Sequence, residues 1–284
     1  MKLSIIIVSY KVREKLRENL QALFASVCDF NFEVFVIDNN SQDGTVEMVR
    51  EEYPRVKLIA NSQNTGFAYA NNQVLKEVEG EYVLLLNPDM KVQPNTLQNM
   101  VDWMDNSSAG IASCKLFNDR GELIRHVRRF PKFSDQLAIA LKLPHLFPNI
   151  LDKYILQDFD YDLAQEVDSV RGGFMMIRES VLKTLGIFDE RFFLWFEEVD
   201  YCRRAKEKNI QVWYTPRAEC LDYVGQSFKQ VPTGITQKYF QNSMIAYFKK
   251  WHSPSHLILA LAWSIGRLMS WAGELVGFQK RNRS

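Results

Sequence analysis

The chain predicts an α/β fold: a doubly wound, mainly parallel sheet with helices on both faces. Three observations carry that expectation. Short apolar, β-branched runs recur along the first hundred residues, each followed by apolar residues at helical spacing. Each of three runs also closes on an acid or an amide, the place where open α/β sheets hold their ligands.

Taken in order, Ser4 to Tyr10 is apolar and β-branched, a buried first strand, and Leu16, Leu20, Leu23 and Phe24 share one helical face. Phe32 to Ile37 reads as a second strand ending at Asp38, and Asp43-Gly44 opens a helix carrying Val46, Val49 and Tyr53 that stops before Pro54. Val56 to Ala60 is a third strand, Phe67, Val74 and Val78 mark a helix, and Tyr82 to Leu86 is a fourth strand. Pro88 lacks an N–H donor, so the ladder ends there and leaves Asp89 at the strand's carboxyl end. Leu97, Val101 and Met104 give a helix after Pro94.

Residues 115–170 are less regular, with prolines at 131, 144 and 148 and aromatics at 147, 154, 159 and 161, which suggests a loop-rich cover. Patterning returns with a strand over Val170 to Ile177, a helix over Glu179 to Leu185 capped by Gly186, and a helix over Glu197 to Lys208. A strand over Ile210 to Tyr214 and a helix over roughly 235–251 complete a catalytic unit of residues 1–252. Residues 253–284 form a C-terminal amphipathic helical appendage. From Leu257 to Phe278 they are strongly apolar, but Arg267 and Glu274 share one helical face with Ser270 and break any transmembrane run. A helix lying in the membrane interface fits better, anchored by Trp263, Trp271 and the basic Lys280, Arg281 and Arg283. Packing on the domain or in a homodimer is the competing arrangement.

Composition narrows the function. Lys+Arg number 35 against 34 Asp+Glu, so net charge gives no sign of a nucleic-acid partner. The four cysteines are far apart with no Cys-x-x-Cys pair, which disfavours a zinc site or a disulfide framework and suits reduced thiols in the cytosol. Met1-Lys2-Leu3 runs straight into a strand pattern and does not read as a signal peptide.

Four polar clusters could carry chemistry. Asp38-Asn39-Asn40-Ser41 follows a strand, where a carboxylate can accept a base N–H; helix capping accounts for the residues after it. Asn64-Thr65-Gly66-Phe67 continues to Asn71-Asn72, where Gly66 admits close backbone approach and the amides can bind base or ribose, or simply cap a helix. Asn87-Pro88-Asp89 offers a hard carboxylate for a divalent ion on a diphosphate. Glu197, Glu198 and Asp200, preceded by Phe192, Phe193, Trp195 and Phe196, combine mutual repulsion with apolar neighbours, conditions that raise a carboxyl pKa and favour a general base.

The ordered set of these motifs, with Gly173-Phe174-Met175 and Arg129-Phe130-Pro131, resembles the inverting GT-A-type glycosyltransferases of family 2, nearest their bacterial rhamnosyltransferase-like branch. The resemblance covers about residues 3 to 250. It implies that Asp38 reads the pyrimidine of a nucleotide-sugar, with Ser9 and Tyr10 enclosing the base and Asn40, Asn64, Gly66, Asn71 and Asn87 around the donor. It implies that Asp89 holds Mg2+ or Mn2+ on the diphosphate, Asn87 replacing the first acid of the family's metal motif. Glu198 falls at the base position with Glu197 as competitor, and Asp200 and Arg204 fall at supporting positions. Asp222 stands where many members carry a metal-binding His, and either ligates the ion or has lost that role. Arg128, Arg129 and Arg171 are candidates for diphosphate contacts. The implied donor is a dTDP- or UDP-sugar, rhamnose first, and the acceptor a lipid-linked or surface glycan. The implied location is cytoplasmic, peripheral on the inner face of the cell membrane. A nucleotidyltransferase is the enzymatic rival, weakened by the absence of glycine in Val8-Ser9-Tyr10-Lys11-Val12-Arg13; a catalytically silent binding protein is the other.

Overall fold

The computed structural model describes residues 1–226 and 230–275, with side chains through residue 266. Strands β1 (Leu3–Ser9), β2 (Phe32–Asp38), β3 (Lys57–Ala60) and β4 (Tyr82–Leu86) run parallel in the order β3-β2-β1-β4. Helices α1 (Arg13–Phe24), α2 (Thr45–Glu52) and α3 (Phe67–Leu75) connect them. Leu3, Ile5 and Ile7 pack with Leu16, Leu20 and Leu23 on one face, while Ile6 packs with Ala68 and Val74 on the other. Full burial of each such side chain is worth about 1.5–3 kcal/mol, so two-sided burial holds β1 inside the sheet, while β3 lies at its edge.

The second half departs from a simple alternation. β8 (Phe174–Arg178) runs antiparallel between β4 and β6 (Ile111–Phe117). β9 (Val212–Asp222) lies parallel to β6 and continues well past Tyr214, where the sequence placed its end. Pro216 falls in the register shift between Cys114 and Lys115, where the ladder steps from Thr215 to Glu219. Short β5 (Met90–Val92) pairs with the end of β9, placing Met90 opposite Asp222, and β7 (Gln165–Glu166) pairs with its start. The result is a mixed, mostly parallel sheet with α4 (Thr96–Asp105) and α1 on one face and α3, α7 (Glu179–Leu185) and α8 (Glu197–Glu207) on the other.

The cover holds α5 (Phe133–Ala140), two 3₁₀ turns (Leu143–His145 and Pro148–Leu151) and α6 (Asp152–Ile155). Gly186 ends α7 at φ +73°, as the sequence indicated. α9 (Thr233–Trp251) and α10 (Ser255–Leu275) follow, and Leu259 of α10 shares a buried cluster with Met244, Tyr247 and Phe248. The side chains of Arg267, Ser270, Trp271 and Glu274, and residues Lys280, Arg281 and Arg283, lie outside this description. No described helix is long and apolar enough to cross a membrane. The carboxyl ends of β1, β2 and β4 share one sheet edge, and β9 ends beside the last of them through β5.

Candidate active site

A cavity of about 740 Å³ opens at this edge, lined among others by Tyr10, Asn64, Gly66, Asn87 and Asp89. Of the eight residues expected around the donor, Ser9, Asp38, Asn40 and Asn71 do not line it. Asp38 is buried and accepts from the Ser41 backbone N–H at 3.0 Å and the Ser41 hydroxyl at 2.5 Å. Burial raises its pKa, and the bonds from Ser41 work against that rise. The Ser9 hydroxyl is buried without a partner; Asn71 donates back to the Phe67 carbonyl within α3. Asn40 lies in the left-handed region at φ +63° and accepts from Gln42 at 3.3 Å.

Gly66 is there because nothing larger fits. Its φ is +82°, and an added Cβ would lie 2.4 Å from the Phe193 carbonyl oxygen. That same oxygen accepts from the Phe67 N–H at 2.7 Å, and Asn72 exchanges bonds with the Phe188 backbone. The start of α3 is thereby laced to the 188–193 loop, whose Phe193 packs against Tyr239 of α9 at 4.3 Å to form the cavity's aromatic wall.

Asp89 is buried, and its Oδ2 accepts from the Gln226 N–H at 2.9 Å. Its carbonyl accepts from Tyr223, so the loop after β9 folds over it. Asp222 is fully buried with both oxygens engaged: Oδ1 accepts from the Val224 N–H at 2.8 Å and Oδ2 from Arg171 Nη1 at 2.5 Å. Burial pushes the Asp222 carboxyl pKa up, the Arg171 charge pulls it back, and nearby Asp89 adds a smaller upward push. Val224, a β-branched residue at φ +43°, marks this loop as held under strain.

Arg171 also borders a second cavity of about 1310 Å³, shared with Arg128, Tyr154, Trp195, Glu198 and Phe240. Glu198 lines it; Glu197 is buried beneath with Oε2 unpartnered. Burial raises both pKa values; for Glu197 the Glu198 charge adds to the rise, while Arg171 and Arg128 oppose it at Glu198. The two glutamates are presented by Trp195 and Phe196, consecutive residues in the left-handed region at φ +65° and +69°. Such backbone costs about 1–3 kcal/mol per residue and persists only where surrounding packing enforces it. Here Phe196 packs on Phe240 and Tyr247.

Asp200 faces neither cavity. Its oxygens are taken by Arg204 at 3.1 Å, Lys250 at 2.7 Å and the Trp251 indole at 2.8 Å, which ties α8 to α9. Arg129 lines a separate surface depression, so of the three arginines expected at the diphosphate only Arg171 borders the first cavity.

The sequence profile "Glycosyl transferase family 2" matches residues 4–186. The chain belongs to glycosyl transferase family 2. Among its relatives, the low-salt glycan biosynthesis hexosyltransferase Agl10 of Haloferax volcanii is 28% identical over 74% of this chain and 63% of that protein. The N-acetylglucosaminyl-diphospho-decaprenol L-rhamnosyltransferase of Mycobacterium tuberculosis is 25% identical over 75% and 73%. The rhamnosyltransferase WbbL of Escherichia coli is 24% identical over 77% and 82%. The chain thus spans less than two thirds of the Haloferax protein's length. In fold, the S. aureus TarS 1–349 structure in complex with UDP-GlcNAc superposes with a TM-score of 0.55 at 18% identity, covering 94% of this chain and 71% of that one. The GT-A-type architecture expected from the motifs is the one found.

As a family 2 glycosyltransferase, the chain can be asked where a divalent ion fits. No group of three His, Cys, Asp or Glu suited to a metal occurs among the described residues. Asp89 Oδ1 carries no hydrogen bond among them, so one carboxylate remains available beside the first cavity. That donor set suits an ion held by one carboxylate and mostly by substrate phosphates and water, the usual binding of Mg2+. Two lining residues carry no signal in the sequence, Tyr239 and His126. Tyr239 lies in an expected helix whose apolar face gave no reason to single it out. His126 is a lone histidine in the irregular cover. It borders the second cavity, neutral because burial pushes its pKa down to about 4.

Proposed function

We propose that this family 2 glycosyltransferase moves a hexose, rhamnose first, from a dTDP- or UDP-sugar to a lipid-linked or cell-surface glycan, with inversion. The observation that carries this reading is that Arg171 lines both cavities, with Asp89 in the lining of the first and Glu198 in that of the second. The donor occupies the first cavity: Tyr10 flanks the base, Asn64 and Gly66 hold base and ribose, and Asn87 borders the diphosphate. Asp38 stays off the cavity lining and acts through Ser41, whose hydroxyl donates to Asp38 and accepts from the Lys11 N–H, so that Tyr10 is held at the base. When bound, Mg2+ or Mn2+ on Asp89 supplies Lewis-acid stabilisation of the diphosphate.

The acceptor hydroxyl enters from the second cavity and attacks the anomeric carbon from the face opposite the leaving group. The acceptor O–C bond forms as the bond from that carbon to the diphosphate oxygen breaks, the electron pair departing with the nucleoside diphosphate. The acceptor proton passes to Glu198. Burial favours this acceptance because it makes the charged carboxylate less stable. Glu197, further inside, keeps Glu198's surroundings poor in water. Two rhamnosyltransferases among the relatives support rhamnose as the first sugar to try. The UDP-GlcNAc of the TarS complex makes UDP-sugars the next.

The protein works as a peripheral protein on the inner face of the cell membrane, through α10, which exposes Leu257, Ile258, Leu261 and Ile265. The deciding experiment measures nucleoside diphosphate release from dTDP- and UDP-sugars with Mn2+ and a membrane extract as acceptor source. Glu198→Gln should lower that release by about 10²–10⁴-fold while nucleotide binding persists. Binding of purine nucleotides alone would overturn the pyrimidine donor.

A further inference from the structure

Asp222 stood in the sequence as a candidate metal ligand, yet the folded chain has already given it a cation. Its carboxylate is fully buried, with Arg171 Nη1 on Oδ2 at 2.5 Å and the Val224 N–H on Oδ1 at 2.8 Å. A divalent ion there would have to displace the guanidinium from a site that solvent does not reach. β5–β9 pairing sets Met90 opposite Asp222, so Asp89 and Asp222 are neighbours at one sheet edge. The Arg171 charge therefore stands beside the single carboxylate that remains open. Arg171 is itself about a quarter exposed, at 27%, and borders both cavities. The next residue on the chain abuts the candidate base: a Cβ added at Gly172 would touch Glu198 Cβ at 3.4 Å.

We propose that Arg171 is a fixed cation for the donor's β-phosphate, and that Asp222 is its positioning residue and not a metal ligand. The assignment rests on the donor being a nucleoside diphosphate sugar, as argued above. A guanidinium has the planar fork that suits phosphate oxygens and stays protonated throughout, so it receives growing negative charge without exchanging a proton. Of its nitrogens, Nη1 is committed to Asp222, and the others carry no hydrogen bond among the described residues. Asp222 keeps the head group between the two cavities before any substrate arrives, which spares the binding step the cost of ordering a long side chain.

The test compares nucleoside diphosphates with monophosphates, because only the former carry a β-phosphate. Calorimetric titrations of the full chain with UDP, UMP, dTDP and dTMP, each in Mn2+ and in EDTA, read the preference for diphosphate. Arg171→Met combined with Asp222→Asn removes both charges together, so no buried carboxylate is left uncompensated. This double variant should lose about tenfold or more of the diphosphate preference, equally in Mn2+ and in EDTA. Asp222→Asn alone, which keeps the guanidinium but loosens it, should lose a smaller part. An unchanged preference in the double variant overturns the phosphate contact. Loss confined to the Mn2+ series makes Asp222 a metal ligand and overturns its positioning role. A wild-type chain that binds neither diphosphate overturns the donor reading, and this assignment with it.

Discussion

At the scale of single residues, the site is governed by how many charges each buried carboxylate must share. Asp200 has three cationic or donor side chains as partners and is spent on architecture; Asp222 has one such side chain, Arg171, and holds it in place. Glu198 has none in direct contact, only the more distant fields of Arg171 and Arg128 working against burial. A base must be deprotonated to act, so turnover should rise with pH through the raised Glu198 pKa. The acid limb should then lie above the ordinary glutamate range. Arg128 is solvent-exposed and lines only the second cavity, so Arg128→Met tests that field without opening the core. Its removal withdraws a favourable charge from the carboxylate form, and the acid limb of kcat should move upward by roughly a few tenths of a pH unit, since the charge is exposed and screened. A limb that stays in place or moves downward in the pH–rate profile would separate Arg128 from the base.

At the scale of elements, the two cavities depend on a lacing between the start of α3 and the loop that delivers α8. Gly66 is its tightest point. Gly66→Ala brings a Cβ to 2.4 Å from the Phe193 carbonyl at φ +82°, where a side chain is strained whatever the space. The variant should lose about 1–3 kcal/mol of unfolding free energy by denaturant titration, and nucleotide affinity should fall with it. Wild-type stability together with wild-type affinity would mean that the loop yields freely and the lacing is not a constraint. Much of this element level was legible in the chain. β1, β2 and β4 are buried on both faces and each helix between them carries one period, so nothing competed with that pattern. In the second half β8, α7, α8 and α9 were legible too, while β6 and the length of β9 lacked such a signal. β6 carries Ser113, Cys114 and Lys115 in its middle, and β9 contains Pro216, which removes a ladder donor and reads as a strand end. Only the register shift opposite Pro216 lets that strand run on to Asp222, so the end that positions Asp222 against Asp89 was hidden by a local rule. The clusters were found from strand ends. Which members reach a cavity was not, because Asp38, Asn71 and Asp200 are satisfied by partners that only the folded chain supplies.

For the whole molecule, the question is what lies beyond the second cavity. Ile139, Leu151 and Ile155 of the cover line that cavity, and the same cover exposes Leu146, Phe147 and Ile150. α5 of the same cover is crossed closely by α10, where an added Cβ at Gly266 would meet the Ala140 carbonyl at 2.0 Å. α10 buries Leu259 and Ala262 toward the protein and leaves Leu257, Ile258, Leu261 and Ile265 outward. On the peripheral placement proposed above, acyl chains would take this apolar outer face and basic residues would meet anionic head groups. Lys280, Arg281 and Arg283 follow in the sequence and would add to such binding electrostatically. The triple substitution Leu257→Ser, Leu261→Ser, Ile265→Ser touches only outward positions, so the fold and the nucleotide sites should be unchanged. Each serine withdraws roughly 1.5–3 kcal/mol of apolar transfer, so co-sedimentation with vesicles containing anionic lipid should fall by at least tenfold. Turnover on a lipid-embedded acceptor should fall in parallel, while nucleotide binding in solution stays at the wild-type value. Undiminished vesicle binding would move the membrane contact off α10, and a rise in the fraction of monomer by light scattering would give that face to a second copy of the chain instead.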